Sequence, residues 1–157
     1  MKIYTGIGAR KTPKHDLSFI TRLAARLAAN HWALRSGGAA GADSAFAAGV
    51  GSGLKCIYRP EDATPEALSM AERFHPAWHK CSPVARLLHA RNCFQILGRD
   101  LATPTLMVIC WTKGGAGHGG TGQAIRIARA SNIPVFDLGG DRAEAIKGIA
   151  DMVAAVK

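Results

Sequence analysis

The 157-residue chain contains no apolar run of membrane-spanning length, and Lys2-Ile3-Tyr4 opens a strand rather than the apolar core of a leader. Neither a transmembrane segment nor a signal peptide is therefore expected. No Cys-x-x-Cys pair occurs: Cys56, Cys81, Cys93 and Cys110 stand apart. That spacing suits reduced thiols in a cytoplasm better than a disulfide framework. A G-x-x-x-x-G-K-S/T phosphate loop is also missing. Gly6-Ile7-Gly8-Ala9-Arg10 begins like a dinucleotide fingerprint, but Lys11 replaces its third glycine. Arg35-Ser36 stands where an acidic ribose ligand would end the second strand, so a nicotinamide coenzyme is not expected. Repeats, linkers and low-complexity segments are absent. Acidic residues are scarce in one region: residues 1–59 hold nine Lys and Arg against Asp16 and Asp43 alone.

What is present is a core. Apolar residues make up 48% of the chain, enough at this length to build one domain over residues 1–157. The net charge is +9, and its excess over residues 1–59 is expected to gather near an anionic ligand. His75, His79 and Cys81 are close enough in sequence to raise zinc, with His89 or Cys93 as a fourth ligand. No second paired-ligand motif supports them, so no metal and no cofactor is expected.

Two glycine-rich turns carry the argument. Ser36-Gly37-Gly38-Ala39-Ala40-Gly41-Ala42-Asp43 and Gly114–Gln123 each follow a short apolar strand and open a helix. Glycine lets backbone amides approach a ligand, and a helix N-terminus offers unpaired N–H groups and a positive dipole end. Parallel α/β sheets gather such junctions along one edge.

The periodicity predicts strands over 2–5, 32–35, 55–58, 106–110 and 134–138. Helices are predicted over about 16–31, 42–50, 65–74, 84–97, 121–130 and 142–156. The fold class is α/β: a Rossmann-like, doubly wound five-stranded parallel sheet with a helical insertion after strand three. The expected strand order is 3-2-1-4-5, which sets Gly8–Arg10 and Gly117–Thr121 across one crevice.

Candidate phosphate-binding residues follow from these turns. Gly8 and Arg10 lie past the first strand; Ser36 offers a hydroxyl, and Gly37 and Gly38 offer amides. Asp43 suits either capping its helix or holding a sugar hydroxyl. His118, Gly119, Gly120 and Thr121 form the second half, with Gln123 facing a base or solvent.

Tyr4-Thr5-Gly6-Ile7-Gly8-Ala9-Arg10, Ser36–Asp43, Arg91-Asn92 and the Gly-Gly-Thr-Gly turn, in this order, resemble the DNA-processing protein A (DprA/Smf) family. The likeness covers about residues 3–138. It is strongest to short single-domain members met in phage and prophage genomes, within the wider SLOG superfamily. The resemblance implies binding of single-stranded DNA through the loop arginine and glycine-turn amides, in recombination or DNA processing. A recombinase and a second copy of the chain are the implied partners, and no membrane. It adds Arg91 and Asn92 to the candidate site. Two departures stand out: Ala9 replaces the family's serine, and Cys93 replaces its second arginine.

The same superfamily offers two other readings. The Lonely Guy enzymes remove a base from nucleoside monophosphates, but their paired carboxylates fall on Ile125 and Arg126 here. An oxocarbenium-like route wants a nearby carboxylate, so no catalytic residue is assigned. Asp43 or Glu72 would have to substitute from another element. A small signalling nucleotide, sensed or sequestered, would use the same turns without catalytic acids.

Overall fold

The computed structural model describes residues 1–156. Five strands are separated by helices in chain order: β1 (Lys2–Gly8), α1 (Lys14–Ala29), β2 (Trp32–Ser36), α2 (Ala42–Val50) and β3 (Lys55–Ile57). An insertion of α3 (Pro65–Phe74) and α4 (Pro83–Leu97) follows, then β4 (Met107–Trp111), α5 (Gly119–Ala130), β5 (Val135–Asp137) and α6 (Arg142–Ala155). The sheet is entirely parallel in the order β3-β2-β1-β4-β5. Tyr4 pairs with Met107 and Gly8 with Trp111 across the centre, and Lys2 pairs with Trp32.

Alternation along a strand sends successive side chains to opposite faces. In β4, Met107, Ile109 and Trp111 join the core beneath α1, α2 and α6, while Val108 and Cys110 join the core beneath α3, α4 and α5. Every residue of β4 is buried, as a strand covered on both faces requires. The inserted helices have local starts: Thr64 Oγ1 accepts from Ala67 N at 3.3 Å and Ser82 Oγ from Ala85 N at 3.2 Å. A proline opens each of the two helices, where its missing N–H costs nothing.

One boundary differs from the sequence reading. β1 continues through Gly6-Ile7-Gly8, which pair with Ile109, Cys110 and Trp111. These glycines are not a turn; they let other groups come close to a central strand. A Cβ on Gly6 would stand 2.6 Å from the Phe46 ring, and one on Gly8 would stand 2.7 Å from both Ala42 Cβ and the Trp111 carbonyl. Helix α2 therefore lies directly on β1, and its first turn reaches the strand's carboxyl end. There β1 leads toward α1 on one face and β4 toward α5 on the other. The crevice between them is where α/β sheets take ligands.

Phe46 is the side chain that seats α2. It is fully buried and meets Tyr4 edge-on, with ring centroids 6.2 Å apart. Phe46→Ala is expected to lower the unfolding free energy by about 3–5 kcal/mol in urea denaturation. A loss below about 1 kcal/mol would mean that another contact holds α2 to the sheet.

Candidate functional site

Asp43 sits in the first turn of α2, 3% exposed, and caps nothing in its own helix. Its two oxygens point instead at two strand ends. Oδ1 accepts from Gly8 N at 3.0 Å, and Oδ2 accepts from Gly37 N at 3.2 Å. Burial raises its pKa, against the lowering effects of Arg91 and of the Gly8, Ala39 and Gly37 amides. One buried carboxylate thus fastens β1, the turn after β2, and α2 to each other.

That commitment changes the role of the first glycine turn. Ser36, Gly37 and Gly38 are absent from the wall of the adjoining cavity, the first two buried and Gly38 exposed. Ser36 Oγ is buried and donates to Gly6 O at 2.6 Å. The Gly37 amide, besides bonding Asp43, lies 3.1 Å from Gln95 Oε1 when that side chain turns its oxygen toward the donors around it; Arg91 Nε then donates to the same oxygen at 3.2 Å. A Cβ on Gly37 would fall 2.3 Å from the Gln95 amide. Gly38 has φ +66°, so its glycine serves backbone conformation. At Gly41, φ is +87° and a Cβ would strike Ala9 O at 2.4 Å. The α2 N-terminus is consequently closed by protein: Ala42 N donates to Ala9 O at 3.3 Å and Ser44 N to Ala39 O at 3.0 Å.

The second turn is open. Gly114, Gly115, Gly117 and Gly119 all have positive φ, so the segment coils tightly before α5 begins. Gly122 permits this coil, since a Cβ there would lie 2.0 Å from Gly117 O. His118 occupies the position before α5 without capping it, and the first turn carries no acidic residue. A Cβ on Gly120 would meet nothing within 4 Å. The first amides of a helix have no partner within it, and Gly119, Gly120 and Thr121, which open α5, line the same cavity.

Helix α4 forms the remaining wall. Ala85, Leu88, His89, Arg91, Asn92 and Gln95 line a cavity of about 460 Å³ together with Ile7–Arg10, Ala39, Asp43 and His118–Thr121. Gly8, Arg10, Asp43, Arg91, Asn92, His118, Gly119, Gly120 and Thr121 therefore meet in one place. Asn92 Nδ2 donates to Gly120 O at 3.0 Å and to Gln123 Oε1 at 3.1 Å, tying α4 to the start of α5. Arg91 donates to Gly37 O at 3.2 Å, and burial is the main cause of its lowered pKa. Among the described residues, no carboxylate lies within ion-pair distance of Arg10 or Arg91. The cavity presents two cations, a helix N-terminus and one carboxylate whose oxygens are already occupied.

Several sequence expectations are corrected here. Of the cations in residues 1–59, Arg10 alone reaches the cavity; Arg35 is buried and donates to Thr103 O, and Arg22 and Arg26 line a groove between α1 and α6. Gln123 faces neither base nor solvent: it is fully buried and bonded to Asn92, His89 and Ala71 O. Ile125 packs in the core, and Arg126 Nε donates to Phe74 O at 3.0 Å, so neither reaches the cavity. Glu72 is exposed and outside it. His89 and Gln95 are pocket residues that went unassigned. Their signal was the spacing 85, 88, 89, 92 and 95, which places them on one helical face.

His89 also borders a second cluster. It lies beside His75 with ring centroids 4.5 Å apart, and Cys81 completes the group. Burial is the leading cause of a lowered pKa in both histidines, with Arg126 acting in the same direction. His79 is exposed and outside the cluster, and Cys93 Sγ is buried against Ala67 O.

The sequence matches no protein-family model and no curated protein. Among solved structures, DNA processing protein A from Helicobacter pylori, described for its single-stranded DNA binding mode, is similar with a TM-score of 0.60 at 19% identity. The likeness covers 87% of this chain and 64% of that one, so this chain spans less than two thirds of its neighbour. The fold is DprA-like.

Asp43→Asn tests the carboxylate fastening. An amide can turn its oxygen to only one of the two N–H donors and sets its own NH2 against the other. The expected cost is about 1–3 kcal/mol in urea unfolding, with faster hydrogen exchange at the Gly8 or Gly37 amide. Unchanged stability and exchange would show that the two bonds do not hold the strand ends.

Proposed function

We propose that this cavity binds the phosphates of single-stranded nucleic acid, with a role in DNA processing like that implied for the DprA-like fold. The carrying observation is the uncapped N-terminus of α5, beside Arg10 and Arg91 and away from any free carboxylate. Oriented backbone amides at a helix start suit a phosphate oxygen, and the two guanidiniums supply charge that water screens less inside a recess. Arg10 is exposed at the rim and would meet a strand passing the mouth, whereas Arg91 sits in the wall. The neighbour's described binding of single-stranded DNA supports this choice among anions.

The cavity's dimensions favour a second reading. A concave volume of about 460 Å³ is within the range of small-ligand pockets, so one nucleotide could fill it. Base removal is the least supported activity. Asp43 is the lone carboxylate of the wall, and each of its oxygens is already engaged by a strand-end amide, so no second, free carboxylate is at hand for acid–base work.

Fluorescence anisotropy with labelled oligonucleotides across a salt series separates these readings. Single-strand binding should weaken steeply with salt, with a log–log slope of about −0.7 per phosphate neutralised. Arg10→Ala should weaken binding to all sequences and make the slope shallower by about one such step. If oligonucleotides do not bind at low salt while a mononucleotide or cyclic dinucleotide is retained, the small-ligand reading replaces the first.

A further inference from the structure

The connection from α3 to α4 brings together side chains that the sequence separates. His75 directly follows α3, Cys81 precedes the cap of α4, and His89 lies within α4. One donor atom from each lies within 4.8 Å of the other two. Cys81 Sγ is 3.7 Å from His75 Nδ1 and 3.6 Å from Nε2. Metal bonds of about 2.3 Å to sulfur and about 2.0 Å to nitrogen set those atoms about 3.5 Å apart across a tetrahedral angle. We propose that His75, Cys81 and His89 form a site for zinc or a similar divalent transition metal, with the fourth position open.

The surroundings of His89 are those of a metal-ligating histidine. Gln123 Oε1 accepts from Asn92 Nδ2 at 3.1 Å, which fixes that atom as oxygen. His89 Nδ1, 3.2 Å from the same oxygen, must then carry the proton, and Nε2 keeps its lone pair. The buried Gln123 oxygen does for this ring what a carboxylate or backbone carbonyl does for most metal-ligating histidines: it fixes the tautomer and the ring orientation. Trp78 lies beside both histidines, with centroids at 6.1 and 6.4 Å, and all three side chains are half-buried.

Two features oppose binding and are offset. His75 Nδ1 accepts from Ala77 N at 3.1 Å, so coordination gives up one turn hydrogen bond, a small loss beside a metal–nitrogen bond. Arg126 is a nearby cation that disfavours a second positive charge. Release of the Cys81 proton supplies a thiolate that balances part of it. The remaining positive excess selects an anionic fourth ligand, hydroxide or an anionic oxygen. Because His89 belongs to the cavity wall as well, the metal would stand at the pocket's margin. The site rests on its own ligands and holds whatever occupies the cavity.

The test adds cobalt(II) to the full chain after chelator treatment, with thiols kept reduced. One equivalent should give the intense visible bands of tetrahedral cobalt and a thiolate charge-transfer band in the near ultraviolet. Cys81→Ser should abolish the charge-transfer band, His75→Ala should weaken cobalt binding at least about tenfold, and His79→Ala should change neither. Zinc should raise the melting temperature of the parent chain but not of Cys81→Ser, since only the former binds it in the folded state. Melting of each metal-free variant confirms that it is folded. No cobalt binding, or a spectrum that survives in folded Cys81→Ser, would overturn the proposal and leave Cys81 a bare thiol beside two imidazoles.

Discussion

The geometry of the pocket depends on one buried carboxylate. Strand β1 and the turn after β2 meet at the same edge of the sheet. Asp43 accepts an amide from each, from Gly8 and from Gly37, and does so from the first turn of a helix pinned by Phe46. The nearby Arg91 and the strand-end amides offset part of its lost hydration, and burial still raises its pKa. With the strand ends fixed, Arg91 and Gln95 on α4 have a rigid partner in Gly37, and α4 in turn holds α5 through Asn92. The helix start that faces the cavity is positioned by this chain of contacts.

The two glycine turns, alike in sequence, serve different ends. In the first, glycine makes room for protein: Gly37 for Gln95, Gly41 for the β1 loop. In the second, the inner glycines close the coil, while Gly120 faces open space. An electrostatic asymmetry follows. The α2 N-terminus is occupied by the Ala9 and Ala39 carbonyls, whereas the α5 N-terminus has no side-chain cap and no acidic residue in its first turn.

Much of the fold was legible because its signals are local. Apolar runs bounded by glycine gave the strands, and prolines at 65 and 83 marked the inserted helices. The parallel order followed from alternating strand and helix. Glycine was the ambiguous letter. Gly6 and Gly8 read as a turn, but they are ladder residues whose missing side chains admit Phe46 and Ala42. Likewise, nothing local shows that Gly37 spends its amide on Asp43, six residues on, or that Gln123 buries itself against α4. The metal-ligand candidates were legible only in part: His75, Cys81 and His89 were all named from spacing, together with His79 and Cys93, which the structure leaves out. Linear spacing favoured His79, while the turn into α4 brings His89 instead.

The central claim is that the first amides of α5 are the phosphate contact. Gly120 tests it most directly, because a side chain there has room in the protein and projects into the space a phosphate would take. Gly120→Val should keep or slightly raise the melting temperature, since glycine is the weaker helix former, and should weaken binding of oligonucleotide or nucleotide at least about tenfold. Unchanged affinity in a folded Gly120→Val protein would contradict the account.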